Sequence, residues 1–260
     1  MKMNAFLLLI AAIAQTVPVN GTLTFTQPWT TSRIDVQGNG WNGTDKTGPA
    51  LLFMPGATDG LVIGGGDPYR ATGGKIERVR IVRKGSGGTA IKITALSAAE
   101  RPGELIIRDV LTCGLSDLQG GNPDNWDTGL LIDGGTLLDV GAAGVRRVRI
   151  EHFRAASCLA DSIVFRNVTH VSGDDIQIDQ GTAPGRVPTM IVENSRHVQL
   201  SGLNIFGELQ IRGSTNVRID GYVQTLRVDA KCQGIHVTGV VGAVQVDNGA
   251  GVTLLCEVRK

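Results

Sequence analysis

The chain has 260 residues, of which 36 are glycine and only 4% are aromatic. Its 25 basic and 24 acidic residues leave a net charge of +1 and are dispersed along the sequence, which excludes a basic stripe for nucleic acid. The length suits one elongated domain, and no shift in composition marks a second one. Abundant glycine with few aromatic residues is typical of short strands joined by tight corners.

The first twenty residues form a hydrophobic segment with two open interpretations. One lysine precedes an apolar run, and Ala12-Ile13-Ala14 offers a small-residue cleavage motif, as in a secretory signal. Alternatively, a helix over 4–15 covers the open end of the fold as a cap. The run is too short to span a bilayer, so we expect no membrane span. We therefore separate residues 1–20 from a domain over 21–260.

Three aromatic residues stand in polar, glycine-rich corners, namely Trp41, Tyr69 and Trp126. Aromatic rings stack on sugar rings, so these residues are candidate carbohydrate contacts, with packing anchors for long loops as the alternative. A Gly-x-Gly-x-x-Gly motif surrounds Trp41, but no helix is predicted after it to bind a pyrophosphate. We therefore expect no nucleotide and no other cofactor.

Short strands with alternating apolar residues are predicted along the middle of the chain. Their ranges are 76–82, 105–111, 145–150, 163–168 and 190–194. The largest corner between them covers 115–128, and another covers 180–188. Long loops on a regular solenoid tend to cluster on its binding face, so we expect the ligand there.

The last third of the chain repeats itself. The segments 198–203, 217–222 and 235–240 share one pattern, a fourth begins at 252, and successive starts lie 19, 18 and 17 residues apart. A second short strand recurs at 209–211, 226–228 and 244–246. A period of about 20 residues marks a solenoid and has no room for an intervening helix.

This spacing predicts an all-β, right-handed parallel β-helix, with a β-sandwich as the alternative. The hexapeptide pattern of the left-handed form is absent. One apolar column should stack inside the coil, made of Val198, Val217, Ile235 and Val252, and Gly202, Gly221 and Gly239 should share one corner position. None of the four cysteines forms a C-x-x-C motif, so we expect buried free thiols and no metal site.

Two longer sequence segments strengthen the β-helix interpretation. Leu105-Ile-Ile-Arg-Asp-Val-Leu-Thr-Cys-Gly114 and the segment 163–173 each combine a strand with a corner. In this respect the chain from about 21 onward resembles the pectin-lyase-like right-handed β-helix superfamily. That superfamily includes pectate lyases, polygalacturonases, phage tailspikes and other virion β-helices. The resemblance implies that the coil acts on or binds polysaccharide, and it is compatible with either binding or cleavage.

One local match is sharper. Ser172-Gly173-Asp174-Asp175-Ile176 resembles the Gly-Asp-Asp segment of polygalacturonase-type glycosidases, in which both aspartates belong to the active site. The other motifs of that family, N-T-D before this segment and H-G and R-I-K after it, are absent here. Gly-Asp-Asp is also ordinary corner chemistry, so a purely structural role stays open.

Further candidates surround this segment. A carboxylate pair could form between Asp174 and Asp175, or between either of them and a stacked residue such as Asp161, and His170 could act as a base or a binding residue. Asp179 should share the outer face with Asp175, about 13 Å away, which is too far for a catalytic pair but suits sugar binding.

Two functions follow as expectations. The first is a surface-displayed structural or polysaccharide-binding protein, most concretely a phage spike, fibre or decoration protein. The second is a secreted polysaccharide lyase or glycoside hydrolase that uses the aspartates. Either places the protein outside the cell or on a virion surface. We also expect a homotrimer, or a second virion protein, to cover the C-terminal end of the coil.

Overall fold

The structure, a computed structural model, describes residues 16–31, 34–39, 48–64, 74–94, 104–115, 124–135, 146–179 and 187–258. The elements of regular structure in these ranges are parallel β-strands. Their bounds are β1 Val17–Val19, β2 Thr22–Phe25, β3 Trp29–Thr31, β4 Ile34–Gly38, β5 Ala50–Phe53, β6 Leu61–Ile63, β7 Gly74–Arg83, β8 Thr89–Thr94, β9 Leu105–Gly114, β10 Thr128–Asp133, β11 Arg146–Ala155, β12 Asp161–Arg166, β13 Thr169–Ile178, β14 Thr189–Glu193, β15 Arg196–Arg212, β16 Thr215–Val228, β17 Gln233–Val246 and β18 Val252–Val258.

The strands stack into three faces of a coil. The first face joins β1, β4, β7, β9, β11, β13 and β15–β18 through their leading residues. The second face joins β2 to β5 and β5 to the second half of β7, and it continues through the second halves of β9, β11 and β13. The third face joins β3, β6, β8, β10, β12 and β14 to the ends of β15–β17. This is a right-handed parallel β-helix, as predicted.

The predicted inner column is confirmed. Val198 pairs with Val217, Val217 with Ile235, and Ile235 with Val252. The first three are at most 1% exposed. Inward aliphatic side chains of neighbouring rungs therefore pack on one another along the coil, and their burial is the main stabilising contribution.

The predicted glycine column is only partly correct. Gly221 does pair with Gly239, but Gly221 stands opposite Leu203 rather than Gly202. The register shifts between Leu200 and Leu203, so Gly202 is an extra residue at the corner. The number of residues per corner thus differs between rungs, although the inner columns on either side stay aligned.

The corner between the first and second faces has one backbone geometry in five rungs. Its central residues have positive φ angles: Arg78 (55°), Asp109 (52°), His152 (50°), Asp175 (50°) and Gly202 (59°). The strand registers on both sides place these residues above one another. A single left-handed residue turns the chain sharply from one face to the next, at a cost of about 1–2 kcal/mol for a residue with a Cβ.

The corner between the third and first faces contains a buried polar ladder. The hydroxyl of Ser195 accepts from the Val168 amide (3.3 Å), and the hydroxyl of Ser214 accepts from the Ser195 amide (3.0 Å). In the next rung the thiol of Cys232 donates to the Ile211 carbonyl at 3.3 Å, as Ser214 donates to Val192 at 3.1 Å. These bonds satisfy backbone groups that the corner would otherwise leave unpaired.

The described ranges contain no helix of the length and apolarity needed to cross a bilayer. The first strand of the coil, β1, pairs with β4 and begins at Val17, slightly before the predicted domain boundary at 21. The hydrophobic run over 1–15 lies outside the described residues, so the signal and the cap both stay predictions.

Candidate functional site

The Gly-Asp-Asp segment lies where β13 turns from the first face to the second. Asp174 is the last residue of the first face and is exposed, and its Oδ1 accepts a hydrogen bond from the Ser201 hydroxyl at 2.8 Å. Asp175 is the left-handed corner residue, and its Oδ1 accepts a hydrogen bond from the side-chain amide of Gln177 at 3.3 Å. The corner conformation of Asp175 is shared by four other rungs, so the fold accounts for a left-handed residue at this position.

The structure does not bring Asp161 or His170 to this corner. Asp161 begins β12 on the third face and pairs with Thr189, whereas Asp174 lies on the first face. His170 stands at the opposite end of the leading part of β13. It lies four positions before Asp174 along the strand, which corresponds to about 13 Å. The predicted pair of Asp161 with Asp174 or Asp175 is therefore not formed.

The carboxylate that does neighbour Asp174 is Glu151. The two residues pair directly across β11 and β13. Adjacent strands lie about 4.8 Å apart, so the two residues are neighbours on the outer wall, with the Glu151 carboxylate bonded to Arg108 in β9 and the Asp174 carboxylate bonded to Ser201 in β15. Glu151 was not among the candidate residues predicted from the sequence. The adjacency is visible once the register of the two strands is known, with Arg149-Ile-Glu151 aligned to Ser172-Gly-Asp174.

Glu151 is held by arginines. Arg108 Nε donates to its Oε2 at 2.5 Å, Arg149 contacts its other oxygen, and Arg108 also approaches Glu77 at 3.5 Å. Burial opposes ionisation of Glu151, but the hydrogen bond and charge of Arg108, together with Arg149, lower its pKa. Glu151 is thus ionised at neutral pH. It has the charge state of a base or nucleophile and not of an acid.

Asp179 follows β13 on the second face and is ion-paired with Arg154, whose Nε and Nη2 both lie 2.6 Å from Oδ2. The side chain is half-buried, and this double contact occupies one carboxylate oxygen. Asp179 therefore fixes Arg154 on the outer wall, and it remains a candidate polar contact there.

Trp126 is an anchor inside the coil. Its side chain is 1% exposed, its indole nitrogen donates to the Ile81 carbonyl at 3.1 Å, and its ring meets Phe53 edge-on at 5.8 Å. The guanidinium of Arg83 lies 5.0 Å from the same ring. Of the two roles considered for this residue, the packing role fits this position, because neither ring face is open to a sugar. Trp41 and Tyr69 lie outside the described residues.

Two histidine contacts were not anticipated. His170 and His197 stack with ring centroids 5.0 Å apart, and His152 Nδ1 lies 3.0 Å from Asp109 Oδ1. Both contacts join equivalent corner residues of neighbouring rungs. The signal was available in the shared His-Val pairs at 170–171 and 197–198, which align once the rungs are superposed.

Among the described residues, no group of three or more His, Cys, Asp or Glu side chains could hold a metal ion. Comparison of the chain with protein-family models, with curated proteins and with solved structures finds no significant match. The class of protein is therefore defined by its fold, a parallel β-helix with polar outer walls.

Proposed function

We propose that this chain is a surface-displayed β-helical structural or polysaccharide-binding protein, most concretely a phage spike, fibre or decoration protein. The observation that carries the proposal is the repeated corner. The residue at Asp175 is Arg, Asp, His or Gly in other rungs with the same left-handed backbone. This shared geometry supports a structural role for Asp175, the second aspartate of the most enzyme-like motif of the chain.

The outer walls support a binding role. Outward side chains of successive rungs form registered rows of amides, guanidinium groups and carboxylates, for example Gln199 beside Arg218 and Arg218 beside His236. Such rows sit on strands whose spacing the backbone fixes, so a ligand meets preplaced groups. The resemblance to pectin-lyase-like β-helices adds polysaccharide as the expected ligand, by analogy of fold alone.

A secreted polysaccharide lyase or glycoside hydrolase is the second candidate. The specific observation in its favour is the adjacency of Glu151 and Asp174 on neighbouring rungs. In this alternative Glu151, kept ionised by Arg108, acts as base or nucleophile and Asp174 supplies the second carboxyl group.

The two candidates differ in turnover. The purified protein would be incubated with polygalacturonate and with bacterial capsular and O-antigen polysaccharides, and binding and new reducing ends would be measured in parallel. We expect binding to at least one polymer without cleavage. Cleavage that disappears in Glu151→Gln and Asp174→Asn would establish the enzyme instead, and the absence of both binding and cleavage would leave only a structural role.

A further inference from the structure

A polar groove runs along the outside of the third face in the last three full rungs. Gln210, Arg227 and Gln245 pair in register across β15, β16 and β17 and form one wall. The groove has a volume of about 260 Å³. This is slightly below the roughly 300–1,000 Å³ of typical ligand pockets, so it suits a short piece of a longer ligand. Its polar lining consists of Gln210, Arg212, Arg227, Asp229, Gln245 and Asp247.

Part of this lining is held in place by the protein itself. Arg227 Nε lies 3.0 Å from Glu208 Oε1, and the side-chain amide of Gln210 also donates to Glu208. The carboxylate of Asp229 accepts from the Gly213 amide through both oxygens at 3.0 Å. These bonds orient one side of the groove without any ligand, so little side-chain freedom is lost there on binding.

The other side of the groove is uncommitted. Gln245 and Asp247 are exposed, and neither side chain has a hydrogen-bond partner within the part of the chain that the structure describes. One offers an amide that both donates and accepts, and the other a carboxylate that only accepts. A ligand with hydroxyl groups, each able to donate and accept, satisfies both at once.

The charges of the groove distinguish between sugars. The positive charges of Arg212 and Arg227 are balanced by Asp229 and Asp247, and Glu208 adds a further negative charge behind Arg227. This balance gives no net attraction for a polymer of uronic acids. We propose that the groove binds a short segment of a neutral polysaccharide through Arg227, Gln245 and Asp247, which rests on the proposed binding function.

The test uses the full chain and defined probes. Neutral oligosaccharides of glucose, galactose, mannose and rhamnose, and an oligogalacturonate as the acidic probe, would be titrated calorimetrically. In parallel, the side-chain amide signal of Gln245 would be followed by NMR. We expect a neutral probe to bind and shift that signal. Gln245→Ala and Asp247→Ala should each weaken this binding at least tenfold, because each removes a side chain that contacts the ligand in this proposal. Neither side chain has an internal role, so folding should be undisturbed.

The matched control is Gln37→Ala, which removes an exposed glutamine of β4 near the other end of the coil and should leave binding as in the unmodified protein. If a polysaccharide binds but both groove variants bind normally, the groove assignment is wrong while the proposed function stands. Preferential binding of the acidic probe overturns the neutral-ligand assignment. If no probe binds, the groove inference and the binding function both fail.

Discussion

Asp175 and Gly202 occupy the same corner of adjacent rungs, and both have left-handed backbones, with φ angles of 50° and 59°. The aspartate thus holds a conformation that glycine adopts without strain. A β-branched residue is a genuine outlier there, whereas it is favoured in the extended strand where Asp174 lies.

This relationship predicts how substitutions at the corner affect stability. Asp175→Val should lower the free energy of unfolding by about 1–2 kcal/mol, and Asp175→Gly should keep or slightly raise it. Asp174→Val, one residue earlier in extended conformation, is the matched control. Thermal and urea unfolding of the three variants measures the difference. Equal losses for the two valine variants would contradict a conformational origin.

A second prediction concerns Gly239. A Cβ at this position would lie 2.2 Å from the Gly221 carbonyl oxygen, and the residue has φ 97°. Gly249 has nearly the same φ, 98°, but the nearest atom to its Cβ would be 3.7 Å away. Gly249→Ala therefore carries only the conformational cost of about 1 kcal/mol, and Gly239→Ala adds a backbone clash. We expect Gly239→Ala to lower the melting temperature clearly more, and similar shifts would exclude the clash.

The buried thiol of Cys232 gives a prediction on alkaline stability. Burial, with a contribution from Asp229, raises its pKa from the ordinary 9.0 to about 11. Between pH 9 and 11 the unfolded chain loses this proton and the folded protein keeps it, so stability should fall as pH rises through that range. Cys232→Ser retains a donor for the Ile211 carbonyl and should reduce this decline. The measurement is urea unfolding at several pH values.

The reactivity of the cysteines provides an independent check on the burial of Cys232. Cys232 is fully buried, whereas Cys256 in β18 is half-buried. At pH 8 iodoacetamide should modify Cys256 before Cys232, and mass spectrometry after brief labelling detects the order. In urea all four cysteines should react. Rapid labelling of Cys232 in the native protein would show that this corner opens readily.

The paired change Asp174→Asn and Asp175→Asn tests catalysis. If the protein only binds polysaccharide, the double variant should bind as before, because asparagine also tolerates the left-handed corner. If the protein cleaves polysaccharide, the rate should fall by about 10²–10⁴-fold, the usual contribution of acid–base assistance. Circular dichroism confirms that the variant is folded.

The prediction of self-association can be tested at β18, where apolar side chains are exposed. Leu254 points inward opposite Val237, yet it is 37% exposed while Val237 is 1% exposed, and Leu255 is 72% exposed. We predict that a second chain covers this strand, in a homotrimer. Light scattering at micromolar concentration should show a mass above that of one chain, and Leu255→Asp should reduce it. A stable monomer would contradict this prediction.

The sequence was sufficient for the coil and its inner columns because each rung must bury residues of one periodicity, as Val198 and Val217 show. It was insufficient for the site. Outer neighbours such as Glu151 and Asp174 are far apart in the chain, and their adjacency depends on corners of unequal length. Burial of Trp126 was equally hidden, because a tryptophan in a polar corner suits either an exposed or a buried role.

The register of the last rungs has a consequence for the length of the protein. Arg196 pairs with Thr215 and Thr215 with Gln233, so the segment 215–232 is one complete period of the coil. Removing that segment would join Ser214 to Gln233 and recreate the junction that Ser214 now makes with Thr215. The length of the coil can therefore change by one rung at a time, and the columns of the remaining rungs stay continuous.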